Sequence, residues 1–584
     1  MKVVLAASTL LNLLQSWNVV TSNEILQQKL WGLPSGLAYY VQVNIGSPLY
    51  SSSSPPSSSA NAFNLLLDTG SANTAVATAK CCSLPNEKLY SCADSSTCVD
   101  QGTNVNVNYV SGSWTGQLVL DVFSGQGLGI VKNMPFAEIT SEDGFLSSGD
   151  FDGIIGLAYP TIASPSSDPR TPYFDHVQSV YGLSNIFSLQ MCGVLQLMDV
   201  SSVLMADSTN LYAGELLLGG MEGPNRERYY KGEIVYTPLV QEKYFNVIVT
   251  DIGINGQSLG LDCKMINSPR AIIDSGSSNL IFPSSVYNAV IAELKSQVEE
   301  VTSDISDFLF NDGSACCSSE CDPTNVNSII HSLPGLTISL AVDDEKLQQM
   351  TVTIPAEYIW RPLVISAGQD ELACRVFGIS EGAFTLLGNV FMDGLFTVHD
   401  RENERVGLAV ADNCPNGVTS SKIIKVETVG ADKDFCDCVG STDRKRSLLS
   451  SYISFSNKPC FFWQWWMHVI IVTMVVIVLM GVAYCYLWWK RRKLMRQHEA
   501  HQSQHQPNVQ RNVYSDDHYD LLQTPTQQSS AFFVEASTLP TTTASARNRG
   551  IPATSGYRLA LSPSFCSNTM GAHAADVPRH KPSK

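Results

Sequence analysis

A chain of 584 residues, 44% of them hydrophobic, has room for large cores and more than one folding unit. Its formal charge of −17 is uneven: residues 490–584 hold 12 Lys and Arg against 6 Asp and Glu, a net +6, so residues 1–489 carry −23. An acidic body excludes a nucleic-acid partner, which needs a basic footprint, and a charged content of only 16%, with Ser, Thr and Gly filling the gap, fits a β-rich extracytoplasmic protein.

In chain order, residues 1–22 begin with Lys2 and apolar runs at 3–7 and 10–14, which reads as a secretory signal peptide. Residues 23–35 read as a short pro-like segment. Lys29 is their sole basic residue and there is no dibasic or Arg-x-x-Arg site, so a long basic propeptide is not expected and activation needs no proprotein convertase. Strand-like runs rich in Val, Ile, Phe and Tyr dominate 37–440, among them 39–45, 63–67, 117–123, 245–254 and 396–410. The low-complexity stretch 51–60, SSSSPPSSSA, predicts a long hairpin loop between the first two. Helices are predicted at 173–181 and at 283–302, where Pro283 stands first and Val286, Val290, Ile291 and Leu294 recur at helical spacing. The body is therefore mainly β with few helices.

Residues 441–460 read as a stem and 461–489 as a transmembrane helix. The 21 residues 469–489 carry no charge; as a helix they span about 31 Å, the thickness of a bilayer core. Trp463, Trp465 and Trp466 flank one end and Trp488 and Trp489 the other, as interfacial belts do. Lys490-Arg491-Arg492-Lys493 follows, so the positive-inside rule places the body outside the cytosol and 490–584 inside it, as a disordered tail. Cys485, within the span, is either a palmitoylation site or a packed thiol. Fourteen of the sixteen cysteines precede the span, which in an oxidising compartment predicts disulfides. Cys81, Cys82, Cys92 and Cys98 read as a local stapled loop; their connectivity, and that of Cys436 and Cys460, stays open. No Asn-x-Ser/Thr sequon occurs, so N-glycosylation is not expected.

One internal repeat carries chemistry. Leu65-Leu66-Leu67-Asp68-Thr69-Gly70-Ser71 recurs 206 residues on as Ala271-Ile272-Ile273-Asp274-Ser275-Gly276-Ser277. Each copy is followed by an apolar-apolar-Gly element, Ile154-Ile155-Gly156 and Leu386-Leu387-Gly388. Two similar lobes, 36–221 and 222–440, account for this. An apolar strand delivers each Asp to a buried turn, and Gly70 and Gly276 let the other lobe approach. Two carboxyls brought together cannot both ionise readily, so the pair shares a proton and titrates as a unit. The ionised Asp then takes a proton from water and the protonated one polarises a carbonyl. Thr69 and Ser275 are expected to tie the turns together, and Ser71 and Ser277 to hydrogen-bond the outer carboxylate oxygens.

These residues resemble pepsin-family aspartic proteases and, within them, the membrane-anchored β-secretases (memapsins). The resemblance rests on GLAYYVQVNIGSP, LLLDTGSANTAV, YVSGSWTGQL, FDGIIGLAYP, NIFSLQMCG, YTPL, INGQSLGLDCK, AIIDSGSSNLIFP and LLGNVFMDGLFTVHDRENERVGLAVA, and covers about residues 36–440 plus the span. It implies a bilobal pepsin-like β fold, an extended peptide substrate in a cleft, and no metal or cofactor. It makes Asp68 and Asp274 catalytic, Tyr109 the flap tyrosine and Trp114 its hydrogen-bonding tryptophan. It also implies the disulfides Cys192–Cys414, Cys263–Cys438, and Cys374 with one of Cys316, Cys317 and Cys321.

Two departures bear on specificity. Ile281 stands where β-secretases carry an Arg after the second catalytic turn, and Ser164 where they carry a second pocket Arg. Without those cations, preference for acidic side chains beside the scissile bond is expected to weaken. In the tail, Asp517, Tyr519, Leu521 and Leu522 fit an acidic dileucine or tyrosine-based signal for sorting adaptors, matching a β-secretase feature. The expectation is a single-pass type I membrane protein of the Golgi, endosome or plasma membrane. The alternative is a catalytically inactive pepsin-like receptor or binding protein.

Overall fold

The computed structural model describes residues 25–439, apart from internal stretches of which the longest are 48–61 and 194–210, and residues 465–502. The predicted signal peptide, the 51–60 loop, the stem and the sorting residues Asp517, Tyr519, Leu521 and Leu522 lie outside the described residues. The chain divides into two units at residues 462 and 463.

The first unit is dominated by a 13-stranded sheet. Its strands are β1 (Leu26–Gly32), β2 (Tyr39–Ile45), β3 (Ala62–Asp68), β4 (Ala75–Ala77), β5 (Val99–Asn108), β6 (Ser113–Gly125), β7 (Gly129–Asp143), β8 (Gly153–Gly156), β9 (Ile186–Met191), β10 (Leu211–Leu218) and β11 (Tyr230–Pro238), with two more from the far end of the body. The second lobe adds β12 (Ala271–Ile273), β13 (Leu280–Pro283) and β14 (Thr385–Leu387), which lie in a five-stranded sheet of their own, then β15 (Leu395–Asp400) and β16 (Arg405–Ala411). In the large sheet the order is β11-β16-β15-β9-β10-β1-β2-β3-β8-β4-β7-β6-β5, so strands of both lobes share one hydrogen-bonded layer.

The stretch 23–35, expected as a pro-like segment, contains β1. Its residues pair antiparallel with β10 from Leu26↔Leu218 to Gly32↔Leu211 and touch β2 at Trp31↔Tyr40. Gln28 and Leu30 are buried. The described part of the stretch is thus an inner strand, and removing it would leave β2 and β10 with unpaired edges. The predicted 396–410 run is corrected: it is two strands, β15 and β16, joined by a turn. Asp400 causes the break by accepting from the Asn403 N–H (3.1 Å), Asn403 Nδ2 and Arg405 Nε (2.7 Å). The 245–254 run is likewise split, into Asn246–Val247 and Val249–Ile254.

Helix α1 (Tyr173–Tyr181) ends at Gly182, whose φ of 66° suits a left-handed cap. Helix α2 (Ser284–Val301) buries Val286, Val290, Leu294 and Val298, one stripe at a four-residue repeat. Each such side chain stabilises the lobe by roughly 1.5–3 kcal/mol. In the second unit, helix α3 (Trp465–Gln502) is 38 residues long, and its stretch Val469–Gln497 is long and apolar enough to cross a membrane. It does not stop at Trp489 but runs through the basic cluster, because Lys, Arg, Leu, Met, Gln and Glu all favour helix. Arg492 and Lys493 lie over the rings of Trp488 and Trp489. The tail is therefore helical to Gln502.

Candidate active site

Each repeated Asp sits where two parallel strands meet. β3 runs parallel to β8 with Asp68 opposite Gly156, and β12 runs parallel to β14 with Ile273 opposite Leu387. The Leu157 N–H donates to the Asp68 carbonyl at 2.8 Å, and the Asp274 N–H donates to the Leu387 carbonyl at 3.1 Å. The apolar-apolar-Gly elements are the strands that pin the Asp turns.

The two turns are bound to each other across 206 residues. The Thr69 N–H donates to Ser275 Oγ (3.1 Å) and the Ser275 N–H to Thr69 Oγ1 (2.9 Å). Thr69 Oγ1 donates to the Ile273 carbonyl (3.1 Å) and Ser275 Oγ to that of Leu67 (2.8 Å). Both hydroxyls are buried, so four backbone groups find partners here.

This grip sets the carboxyls side by side. The Gly70 N–H donates to Asp68 Oδ1 (2.7 Å) and the Gly276 N–H to Asp274 Oδ1 (2.9 Å). A Cβ on Gly276 would collide with Asp68 Oδ1, and one on Gly70 would come 2.6 Å from Asp274 Oδ1. Glycine is thus needed for the close approach of each turn to the opposite carboxyl. Ser277 Oγ donates to Asp274 Oδ2 at 2.7 Å. Ser71 is different: its buried hydroxyl makes no hydrogen bond of standard geometry among the described residues, although it lies near enough to Asp68 and Tyr109 to favour their ionised forms. Burial first, then the neighbouring Asp274 carboxyl and the hydrogen bond with it, hold the Asp68 pKa well above the carboxylate range; Ser71 and the Gly70 N–H oppose this.

Tyr109 stands at the hairpin between β5 and β6. It follows β5, and its N–H donates to the Gly112 carbonyl across the hairpin at 2.9 Å. Trp114 Nε1 donates to Tyr109 Oη at 3.1 Å, and the indole is almost fully buried. Burial raises the Tyr109 phenol's pKa and the Asp68 charge raises it further.

Behind the second turn stands a buried polar group that sequence reasoning missed. Arg361 Nη1 donates to the Ser278 carbonyl (3.0 Å) and Nη2 to Asn279 Oδ1 (2.6 Å). Lys422 Nζ donates to the carbonyls of Val390 (2.8 Å) and Phe391 (2.7 Å), and Tyr39 donates to Asp393. Burial pulls Arg361 down to about 10 and Lys422 to about 7, while the Asp393 charge pulls both back up. These residues come from distant segments, and no local pattern marks them as a set.

Of the remaining candidate residues, Ile281 lies half-buried in β13 against Gly382. Ser164 is held by Asn73, whose Nδ2 donates to its carbonyl (2.8 Å) and whose Oδ1 accepts from its N–H (2.9 Å). Disulfides join Cys192 to Cys414, Cys263 to Cys438 and Cys92 to Cys98, and Cys81 is also disulfide-bonded. The backbone register sets Cys316 opposite Cys374, while Cys317 and Cys321 lie outside the described residues.

Mainly β lobes that share a sheet, each carrying one Asp turn, define a pepsin-like aspartic endopeptidase. A family model for eukaryotic aspartyl protease matches residues 38–411. The chain is 33% identical to a beta-secretase of Strongylocentrotus purpuratus over 437 residues, which is 72% of this chain and 76% of that one. It is 30% identical to a cathepsin D of Dictyostelium discoideum over 382 residues, 64% of this chain and 83% of that one. To a pepsin-2B of Gadus morhua it is 27% identical over 384 residues, 64% of this chain and 96% of that one. The chain belongs to the eukaryotic aspartyl protease family and is an aspartic endopeptidase.

Proposed function

We propose that Asp68 and Asp274 cleave extended segments of membrane-protein ectodomains by activating one water between them. The two carboxyls, each held by the glycine N–H of its own turn and set against the glycine of the other, carry this reading. One carboxylate takes a proton from the water as the water oxygen attacks the scissile carbon. The other carboxyl gives its proton to the carbonyl oxygen, so a neutral tetrahedral diol forms. In its collapse the carboxylate takes a proton from one diol hydroxyl while the departing amine takes the proton of the other carboxyl, so the C–N bond breaks and the dyad is singly protonated again. Tyr109 and Trp114 cover the site and exclude water. Thr69, Gly70, Ser275 and Gly276 hold the carboxyls in register, and Ser277 orients Asp274.

The membrane-protein substrate follows from α3, which sets the body at a bilayer, and from the similarity to a beta-secretase. The body is luminal or extracellular, the basic end of α3 is cytosolic, and Asp517 to Leu522 engage sorting adaptors that bring the enzyme to acidic compartments. Ile281 and Ser164 leave the subsites beside the cut without a cation, so specificity is more apolar than that of β-secretases. Strong Asp or Glu enrichment in a cleavage profile would count against it.

The test is the full-length chain in detergent with a peptide library at about pH 4.5, where a carboxyl pair can hold one proton. Cleavage is expected in the wild type and lost in Asp68→Asn and in Asp274→Asn. Unchanged cleavage in either variant removes the assignment, and no cleavage by the wild type favours a binding protein.

A further inference from the structure

The sheet ends at β5, the strand that leads into the Tyr109 hairpin, so one side of β5 has no strand partner among the described residues. An edge strand presents unpaired carbonyls that side chains can satisfy. Asn106 is such a position: its side chain is exposed, it stands opposite Thr115 of β6, and it comes three residues before Tyr109. Ser164 Oγ donates to the Asn106 carbonyl at 2.9 Å.

What makes this bond more than a surface contact is how Ser164 is held. The Asn73 carboxamide takes both the N–H and the carbonyl of Ser164, at 2.9 and 2.8 Å, in a planar two-point clamp. Asn73 is itself buried, five residues after Asp68, and its carbonyl accepts from the Gly156 N–H on the strand that pins the Asp68 turn (3.1 Å). A continuous chain of bonds therefore runs from the Asp68 turn through Asn73 and Ser164 to the hairpin strand. Asn73 fixes the base of this chain, and one hydroxyl makes its outer link.

We propose that Ser164 is a flap-positioning residue, whose hydroxyl latches the β5–β6 hairpin to the Asn73-clamped loop and so holds Tyr109 over the carboxyl pair. This rests on Tyr109 acting as the flap tyrosine. It also assigns a use to the position where β-secretases have a pocket arginine: here a short hydroxyl holds the hairpin's backbone. Closure over a substrate keeps the bond, and release of the hairpin breaks it.

The latch is tested in the full-length enzyme by replacing Ser164 with Ala and with Thr. Kinetics are read with a peptide that the wild type cleaves, and amide hydrogen exchange is read over residues 105–116. Ser164→Ala is expected to raise KM about 3–10-fold, the factor of one lost neutral hydrogen bond, with kcat within about twofold. Exchange over 105–116 should quicken while the rest of the body is unchanged, and Ser164→Thr should restore both. Unchanged exchange and KM in Ser164→Ala, or a Thr variant that behaves like Ala, overturns the latch. So does a global loss of protection, which would mean a merely structural serine. Exchange is also read in the Asp68→Asn background, where it reports on the hairpin whether or not Asp68 is catalytic, so failure of the latch and failure of the catalytic assignment are told apart.

Discussion

Thr69 and Ser275 each donate a backbone N–H to the other's hydroxyl, at 3.1 and 2.9 Å, although 206 residues separate them. Each hydroxyl in turn donates to a carbonyl of the opposite strand, so either side chain satisfies one buried donor and one buried acceptor. Thr69→Val keeps the shape and removes the hydroxyl, leaving the Ser275 N–H and the Ile273 carbonyl without it. A buried polar group left unpaired costs about 1–3 kcal/mol. Thr69→Val is expected to lose roughly 2–4 kcal/mol in denaturant unfolding and most of its cleavage, with Thr69→Ser close to the wild type. Because both residues serve one network, Thr69→Val with Ser275→Ala should lose less than the two single losses added. Additive losses would mean that the two hydroxyls act independently.

The elevated Asp68 has a consequence for stability that does not depend on turnover. Its folded pKa lies above its unfolded one, since burial and Asp274 both disfavour the carboxylate. The folded state then holds the proton more tightly. The resulting stability is fully present below the unfolded value of about 3.9 and is lost as pH rises through the folded value. Asp68→Asn is neutral throughout and escapes that loss. Its unfolding free energy relative to wild type is expected to climb as pH is raised from about 3.5 to 7, by about 1.4 kcal/mol for each pH unit between the unfolded and folded values. A difference that is flat or falls with pH, measured by thermal unfolding across that range, would mean that the fold does not favour the protonated Asp68 carboxyl.

The Asp turns are legible in the sequence because their chemistry is local: an apolar strand, Asp, a hydroxyl residue, Gly and Ser all act within one turn. The predicted helices are legible for the same reason, since Val286, Val290 and Leu294 line one stripe of α2. The inner strand β1 is not. Leu26-Gln27-Gln28-Lys29-Leu30 reads as polar, and its place is set by β10, nearly two hundred residues later. The β15–β16 turn hides inside a strand-like run because its cause is one side chain, Asp400, gathering Asn403 and Arg405. Arg361, Asp393 and Lys422 leave no local signal because a buried charge is recognised by its partners, and theirs come from other segments. Ser164 stands out in the sequence for the arginine it replaces, but its bond to Asn106 depends on tertiary placement.

Ile281 offers a gain-of-function test of specificity. Leu280 and Phe282 are buried in β13, while Ile281 turns to the other face and is only half-buried. Its Cγ2 already fills the space over Gly382, where an added Cβ would collide with it. Ile281→Arg changes the half-buried face of β13 and leaves Leu280 and Phe282 in place, putting a guanidinium on the strand that follows the Asp274 turn. A cation there attracts an acidic side chain of the substrate. The expected outcome is a rise of about tenfold, ~1.4 kcal/mol, in kcat/KM for peptides with Asp or Glu next to the cut, relative to apolar peptides. An unchanged ratio would show that this position does not face the substrate.

His399 sets a second pH dependence, of opposite sign to that of Asp68. It stacks on Phe187 with ring centroids 4.5 Å apart and meets Phe245 edge-on at 4.3 Å. Its Nε2 lies 3.4 Å from Thr397 Oγ1, and Nδ1 has no hydrogen-bond partner among the described residues. Burial first, and the Arg401 charge second, push the imidazole down to about 3. The ring is thus neutral in the folded state at pH values where the unfolded chain binds a proton. For a depressed folded pKa, stability is present above the unfolded value of about 6.5 and is lost as pH falls towards the folded one. At about pH 4.5, two units below that value, the loss is roughly 2–3 kcal/mol. Phenylalanine fits the same aromatic nest and has no proton to bind. His399→Phe is expected to gain stability over wild type steadily as pH falls from about 6.5 to 4.5, read as the shift in unfolding midpoint at each pH. A constant offset would mean that the imidazole is protonated in the folded protein, and that Arg401 and the surrounding rings do not exclude the charge.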